Sequence, residues 1–187
     1  MSALDVVTPP ALEPLDVATA KVWARIDTPA FDATIPMMIT AARQHAEHEL
    51  GSRLITQTLR AQLEDWPAAT QLFRLHPVQS IAVTYWNGAA WVAGPAVVVG
   101  RGGLGENYVR LPSGAYFPAW TSTGGAVVRV DFVVGYGDTP ESVPQSIRQF
   151  IAAHVAYWVR NPEAAVEMQM IPSPFLSSLL DPFRTYL

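Results

Sequence analysis

The first stretch of this chain that could do chemistry is VVVGRGGLGENYVRL, where Gly100-x-Gly102-x-x-Gly105 follows an apolar run. In a dinucleotide-binding fold such glycines join a strand to a helix whose N-terminal N–H groups receive a pyrophosphate. Here Gly105 is followed by ENYVRLPSG, which reads as strand and turn, so the spacing predicts a hairpin loop needing positive φ. His45, His48 and Glu49 lie within one helical turn and could in principle ligate a divalent metal. The zincin arrangement, however, needs two His four apart with Glu after the first, and Ala46 stands there. His45 and His48 are expected on the face away from the apolar stripe, at a solvated or subunit-facing surface. His154 falls on the apolar face of a later helix, where a hydrogen-bonded core or interface histidine is the expectation. Asp131 and Asp138 flank a strand end; Asp138, followed by Thr139-Pro140, reads as turn chemistry. No Gly-x-Ser-x-Gly elbow occurs. The sequence thus offers no catalytic residue, no cofactor and no metal ligand set, and an enzyme is not expected.

The elements that must position these residues follow from periodicity. Residues 1–14, broken by Pro9, Pro10 and Pro14, read as an extended arm. Asp16 is a suitable N-cap for a helix of about ten residues with Val22, Trp23 and Ile26 as its apolar stripe, ended by Thr28-Pro29. Thr34 to Leu50 repeats apolar residues at Ile35, Met38, Ile39, Ala42, Ala46 and Leu50, with Gly51 placed to end the helix. Pro36 fits the first turn if Thr34 is the cap, and less well if Asp32 is.

From Arg53 the period becomes two, with Ile55, Gln57, Leu59, Ala61 and Leu63 on one face. Strands are expected at 72–75, at 78–86 with an Asn87-Gly88 hairpin into 90–92, at 96–99, at 108–111 and at 126–134. Pro144 then opens a helix whose buried face is Ile147, Phe150, Ile151, His154, Val155 and Trp158, stopped by Asn161-Pro162. A shorter helical piece is expected from Glu163 to about Met170, and IPSPFLSSLLDPFRTYL reads as an apolar tail that must lie against something. Strands grouped between helices predict an α+β fold: an N-terminal helix pair, a central antiparallel β block, and a C-terminal helix or helices with an extended tail.

Composition narrows the function classes. The 187 residues are 50% hydrophobic and 15% charged, with 12 basic and 16 acidic residues and a net charge of −4. Such a chain suits one folded domain and lacks the basic surface of a protein that grips nucleic acid by its phosphates. Without Cys there is neither a disulfide framework nor a Cys-based zinc site. MSALDVVTPPALEPLDVATA has no basic n-region and no long apolar h-region, and no run reaches the length of a membrane span, so a soluble protein of the cytoplasm is expected. Trp66, Trp86, Trp91 and Trp120, with Tyr85, Tyr108, Tyr116 and Phe117, concentrate aromatics in the β block, as either a sugar-binding face or a core and protein interface would.

The order of elements, taken whole, resembles the head-tail connector (adaptor) proteins of tailed phages and prophage-like particles, in the branch with a β insertion between helical ends. The stretches that carry the resemblance are LDVVTPPALEPLDVATAKVWARID, MMITAARQHAEHELGSRLITQTL, LHPVQSIAVTYW, VDFVVGYGDTPESVPQSIRQFIAAHVAYWVRNPEA and PFLSSLLDPFRTYL. Most informative within them are Arg53-Leu54-Ile55-Thr56-Gln57-Thr58, Gly135-Tyr136-Gly137-Asp138 and the Val143-Pro144 helix start.

The resemblance implies one connector domain over 1–187, with a helical body at 15–51 and 143–170, a β insertion at 53–134 and a docking tail at 171–187. It implies a structural virion protein: a ring of about a dozen copies under the portal protein, with heterologous contacts between neighbours. The ring extends the channel for double-stranded DNA without sequence-specific binding, and joins the head to a neck, stopper or tail-completion protein. The expected location is the virion neck, after assembly in the host cytoplasm and without membrane contact. Phe175, Leu179, Leu180, Phe183, Arg184 and Tyr186 are the expected portal-docking residues, the alternative being that the tail packs on its own subunit. A β-rich glycan-binding module, or another tail-associated interaction module, is the alternative to the connector as a whole.

Overall fold

The structure, a computed structural model, describes residues 4–67, 72–73, 75–101, 107–120, 124–161 and 174–184. The chain divides into two compact units, Met1–Pro10 with Thr56–Gly135, and Ala11–Ile55 with Tyr136–Tyr186. The fold class is α+β: the first unit is built of antiparallel strands, the second of helices.

The β unit holds β1 (Leu4–Thr8), β2 (Gln57–Leu63), β3 (Leu72–Phe73), β4 (Val78–Trp86), β5 (Trp91–Ala93), β6 (Val98–Arg101), β7 (Asn107–Arg110) and β8 (Val128–Val134). One sheet has the order β1-β2-β8-β4-β5 and a second the order β3-β7-β6. Alternation decides the faces of β2 and β8. Leu59, Ala61 and Leu63 of β2 and Val128, Val130, Phe132 and Val134 of β8 are buried, with Leu59 opposite Phe132. On the other face Arg60 lies opposite Asp131 and holds it through two bonds of 2.6 and 2.7 Å. A one-residue slip would bury that ion pair, so the register is strongly specified.

The N-terminal segment, expected as an extended arm, is extended and is also paired. Leu4–Thr8 pairs with β2 as an edge strand, all five residues exposed, and sheet pairing rather than any local propensity decides this. The Asn87-Gly88 hairpin forms with a four-residue loop. Asn87 Oδ1 accepts from the backbone N–H groups of Ala89 and Ala90, both at 3.0 Å, and Gly88 takes a φ of 99°.

The helical unit holds α1 (Val17–Ala24), α2 (Ile35–Leu50), α3 (Gln145–Arg160) and the short α4 (Pro174–Ser178). Asp16 caps α1 by accepting from the Thr19 N–H at 2.7 Å, a bond that also lowers the Asp16 pKa. The expected stripe of α1 is corrected: Ala20 and Ala24 are its buried residues, while Val22 is 75% and Trp23 42% exposed. Ala20 and Ala24, four apart, let α1 approach α3 closely, and this turns Val22 and Trp23 outward. Arg25, with a φ of 57°, ends the helix.

Thr34 precedes α2 and Pro36 occupies its first turn, while the Thr34 hydroxyl turns back to the Phe31 carbonyl at 3.1 Å. Gly51, with a φ of 60°, ends α2 in the left-handed conformation that glycine adopts without strain. In α3 every residue of the expected apolar face is buried. These faces close one core, with Trp158, Ile35, Ile39, Leu54, Ile147 and Ile151 its largest fully buried members alongside Leu180. The helical piece expected over 163–170 lies outside the described residues.

Candidate functional site

The glycine fingerprint sits in an antiparallel hairpin. Gly100 of β6 pairs with Tyr108 of β7, and a strand stands where a dinucleotide site would need a helix. A Cβ at residue 100 would overlap the Tyr108 ring, so this glycine serves cross-strand packing. Gly102 and Gly105 lie outside the described residues.

The aromatic residues of the β unit mostly face its core. Trp66 stacks on Phe117 with ring centres 4.5 Å apart, contacts Tyr85 at 5.3 Å, and donates its indole N–H to the Pro118 carbonyl at 2.9 Å. Trp66, Tyr85, Trp86 and Trp120 pack against the buried cluster that contains Phe132 and Val130. Trp91 lies under the Arg129 guanidinium at 3.7 Å. Tyr116 stands apart at 87% exposed.

In the helical unit, His45 and His154 come together, a pairing the sequence did not reveal. The expectation that His45 lies with His48 on the outward face is corrected. His48 is exposed, but His45 stacks on Phe150 at 5.7 Å and meets the His154 ring edge-on at 5.6 Å. On the helical wheel His45 lies only about a quarter-turn from the centre of the apolar stripe, bordering the buried Ala42 and Ala46 rather than opposing them. His154 Nδ1 is 3.0 Å from the Phe150 carbonyl, the arrangement of a ring N–H donating to it. The two rings, with Glu49, Phe150, Leu176, Ser177 and Arg184, line a cavity of about 240 Å³.

Burial lowers the pKa of both imidazoles. Glu49 partly offsets this at His45, and the Phe150 carbonyl partly offsets it at His154. Among the described residues no three His, Asp or Glu side chains are placed to hold a metal ion.

A second polar cluster stitches the unit together. Arg43, buried in α2, donates to Glu13 at 2.7 Å and to Glu47 at 3.1 Å, and Glu47 also accepts from the Leu54 N–H at 3.0 Å. Burial opposes the Arg43 charge, but the two carboxylates more than offset it and raise its pKa. These groups satisfy one another and support the segment that follows α2. Asp131 is likewise held by Arg60, and Asp138 is exposed.

The candidate docking residues fall in and after α4. Leu180 is fully buried in the core of the helical unit, with Leu179, Phe183 and Leu176 packed against that core and partly exposed. Arg184 pairs with Glu49 at 2.9 Å and Asp181 at 3.1 Å. Phe175 belongs to α4, and its side chain and Tyr186 lie outside the described residues. No described helix is long and apolar enough to cross a membrane.

The arrangement is therefore that of an α+β scaffold in which Arg43 with Glu13 and Glu47, and Arg60 with Asp131, satisfy one another. The same fold occurs in chains of gene transfer agent particles. The chain is similar to one in the neck of an empty particle computed with C6 symmetry, at 23% identity and a TM-score of 0.75, over 99% of this chain and 96% of that one. A chain in the virion of the native particle gives 23% identity and a TM-score of 0.76, over 98% and 96%. A chain in the native neck computed with C12 symmetry gives 20% and 0.70, over 99% and 96%. No family model matches the chain. No curated protein matches it either.

Proposed function

We propose that this chain is a structural neck protein of a phage-like particle, a head-tail connector that assembles as a ring under the portal. The observation that carries this reading is likeness over the whole length, with 96% or more of both chains covered, to chains of particle necks and a virion. The ring is a dodecamer with heterologous contacts, and its bore continues the channel through which double-stranded DNA passes. A net charge of −4 suits a bore along which DNA slides without being held by its phosphates. On its far side the ring receives a stopper or tail-completion protein.

The C-terminal segment docks on the portal. Leu180, buried on its own subunit, anchors the segment, and Phe175, Tyr186 and the exposed parts of Leu179 and Phe183 meet the portal, with Arg184 fixing the direction of the chain through Glu49. Native mass spectrometry of the protein alone and mixed with the portal of the same particle tests the reading. Capture of about twelve copies by a portal ring is the expected result. A protein that stays monomeric and ignores the portal refutes it. Substituting Phe175 and Tyr186 by Ser should weaken capture without lowering the melting temperature, and unchanged capture removes the docking role of the tail.

A further inference from the structure

The helical unit carries unlike charges at the two ends of α3. At the C-terminal end Arg160 is exposed, and its Nη2 lies 3.5 Å from the Ala24 carbonyl oxygen at the end of α1. Arg25, the next residue, is also exposed, and the outward Val22 and Trp23 precede it on the same short helix. Neither arginine has an ion-pair partner among the described residues. Lys21 nearby is engaged by Asp32 at 2.7 Å, which leaves, among the described residues, the exposed Asp27 as one carboxylate outside an ion pair against two such guanidinium groups.

At the N-terminal end the 3-10 turn at Pro140–Ser142 and its lead-in expose Asp138 and Glu141, again without a basic partner among the described residues. Arg148, one turn inside α3, is directed to Gln145 at 2.7 Å. A helix of this length spans about 24 Å, well beyond a Debye length at physiological salt, so the two ends cannot neutralise each other within one subunit.

We infer that the two ends meet between copies: the Arg25 and Arg160 end of one subunit, with the outward Val22 and Trp23 of the same short helix, seats the Asp138 and Glu141 turn of the next. The inference rests on the ring reading above. A heterologous ring requires two different and complementary surfaces on each subunit. A second copy satisfies both the charge and the apolar pair, because an interface of this kind places an aromatic anchor inside a charged rim. Among the described residues, Val22 and Trp23 are not members of the core cluster of their own unit, and the four charged groups make no ion pair.

Charge reversal at each end tests the pairing. Ring formation is followed by sedimentation or native mass spectrometry, alone and on the portal, for the wild type, for R25E/R160E, for D138R/E141R and for the fourfold variant that swaps both ends. Each one-ended reversal should raise the concentration needed for assembly roughly tenfold or more, the fourfold variant should return toward wild type, and assembly of the wild type should weaken between low and high salt. Melting temperatures close to wild type identify the variants that remain folded, and the swap keeps the test decisive because it must restore what each half removes. A wild type that forms rings while one-ended reversals assemble equally well, or a fourfold variant that stays monomeric, overturns this pairing and leaves the ring standing. A wild type that forms no ring even on the portal overturns both.

Discussion

Replacing Leu180 by Ala measures whether the C-terminal segment is part of the helical core. The side chain is fully buried and its neighbours Leu176, Leu179 and Phe183 pack against the same cluster. The change removes three carbons, worth about 2.4 kcal/mol by transfer alone at ~0.8 kcal/mol each. A cavity that the surrounding Leu and Phe side chains cannot close raises the cost toward ~5 kcal/mol. At roughly 2–4 °C per kcal/mol for a chain of this size, melting should fall by about 5 °C or more, and further if the helical unit melts independently. Calorimetry reads the shift. Hydrogen exchange locates it, since the amides of Leu180 and Phe183, bonded to Ser177 and Leu180 carbonyls at 3.0 and 2.9 Å, should lose protection first. Ser177→Ala, at an exposed position of the same segment, is the control. A Leu180→Ala protein that melts within about 1 °C of wild type with unchanged exchange refutes the argument, and means that the segment does not contribute to the core.

Three further outcomes follow from the same structure. Because burial depresses the pKa of His45 and His154, the unfolded chain takes up protons more readily below the ordinary value of 6.5. Stability of the helical unit should therefore be highest above that value and fall progressively as the pH drops below it; His154→Phe should flatten the profile measured by thermal melting between neutral and mildly acidic pH. Glu47→Ala strips a partner from buried Arg43 and from the Leu54 N–H, and should cost about 3–5 kcal/mol in urea unfolding, whereas Arg43→Met with Glu47→Leu should cost clearly less. Gly100→Val should destabilise the β unit by about 1–3 kcal/mol through collision with the Tyr108 ring, and Tyr108→Ala in the same chain should recover part of the loss, read as non-additivity in a double-mutant cycle.

Much of the local structure was legible from residue order. The spacing of α2 and α3 sets their buried faces, Asp16 and Gly51 mark helix ends, and alternation in 57–63 and 128–134 sets the sheet faces. These signals are local: a cap needs one side chain and one N–H three residues on, and a buried face repeats every turn or every second residue. The absence of a helical pattern after Gly105 was likewise readable, and it disqualified the dinucleotide motif by sequence alone.

Tertiary structure decided what depends on partners remote in sequence. Leu4–Thr8 becomes a strand because β2 offers it an edge more than fifty residues away, as in the pairing of Val6 with Leu59. Val22 and Trp23 face outward because two alanines bring α1 against α3, an outcome that eight residues of α1 cannot specify alone. His45 reaches His154 across two helices whose relative rotation comes from packing. Leu180 is core rather than free tail because the helical unit leaves a space that its side chain fills. Sequence determined the elements and their polarity, through short-range hydrogen bonding and periodic burial. Only close packing, which couples every volume to its neighbours, determined which of the exposed and buried residues those elements share.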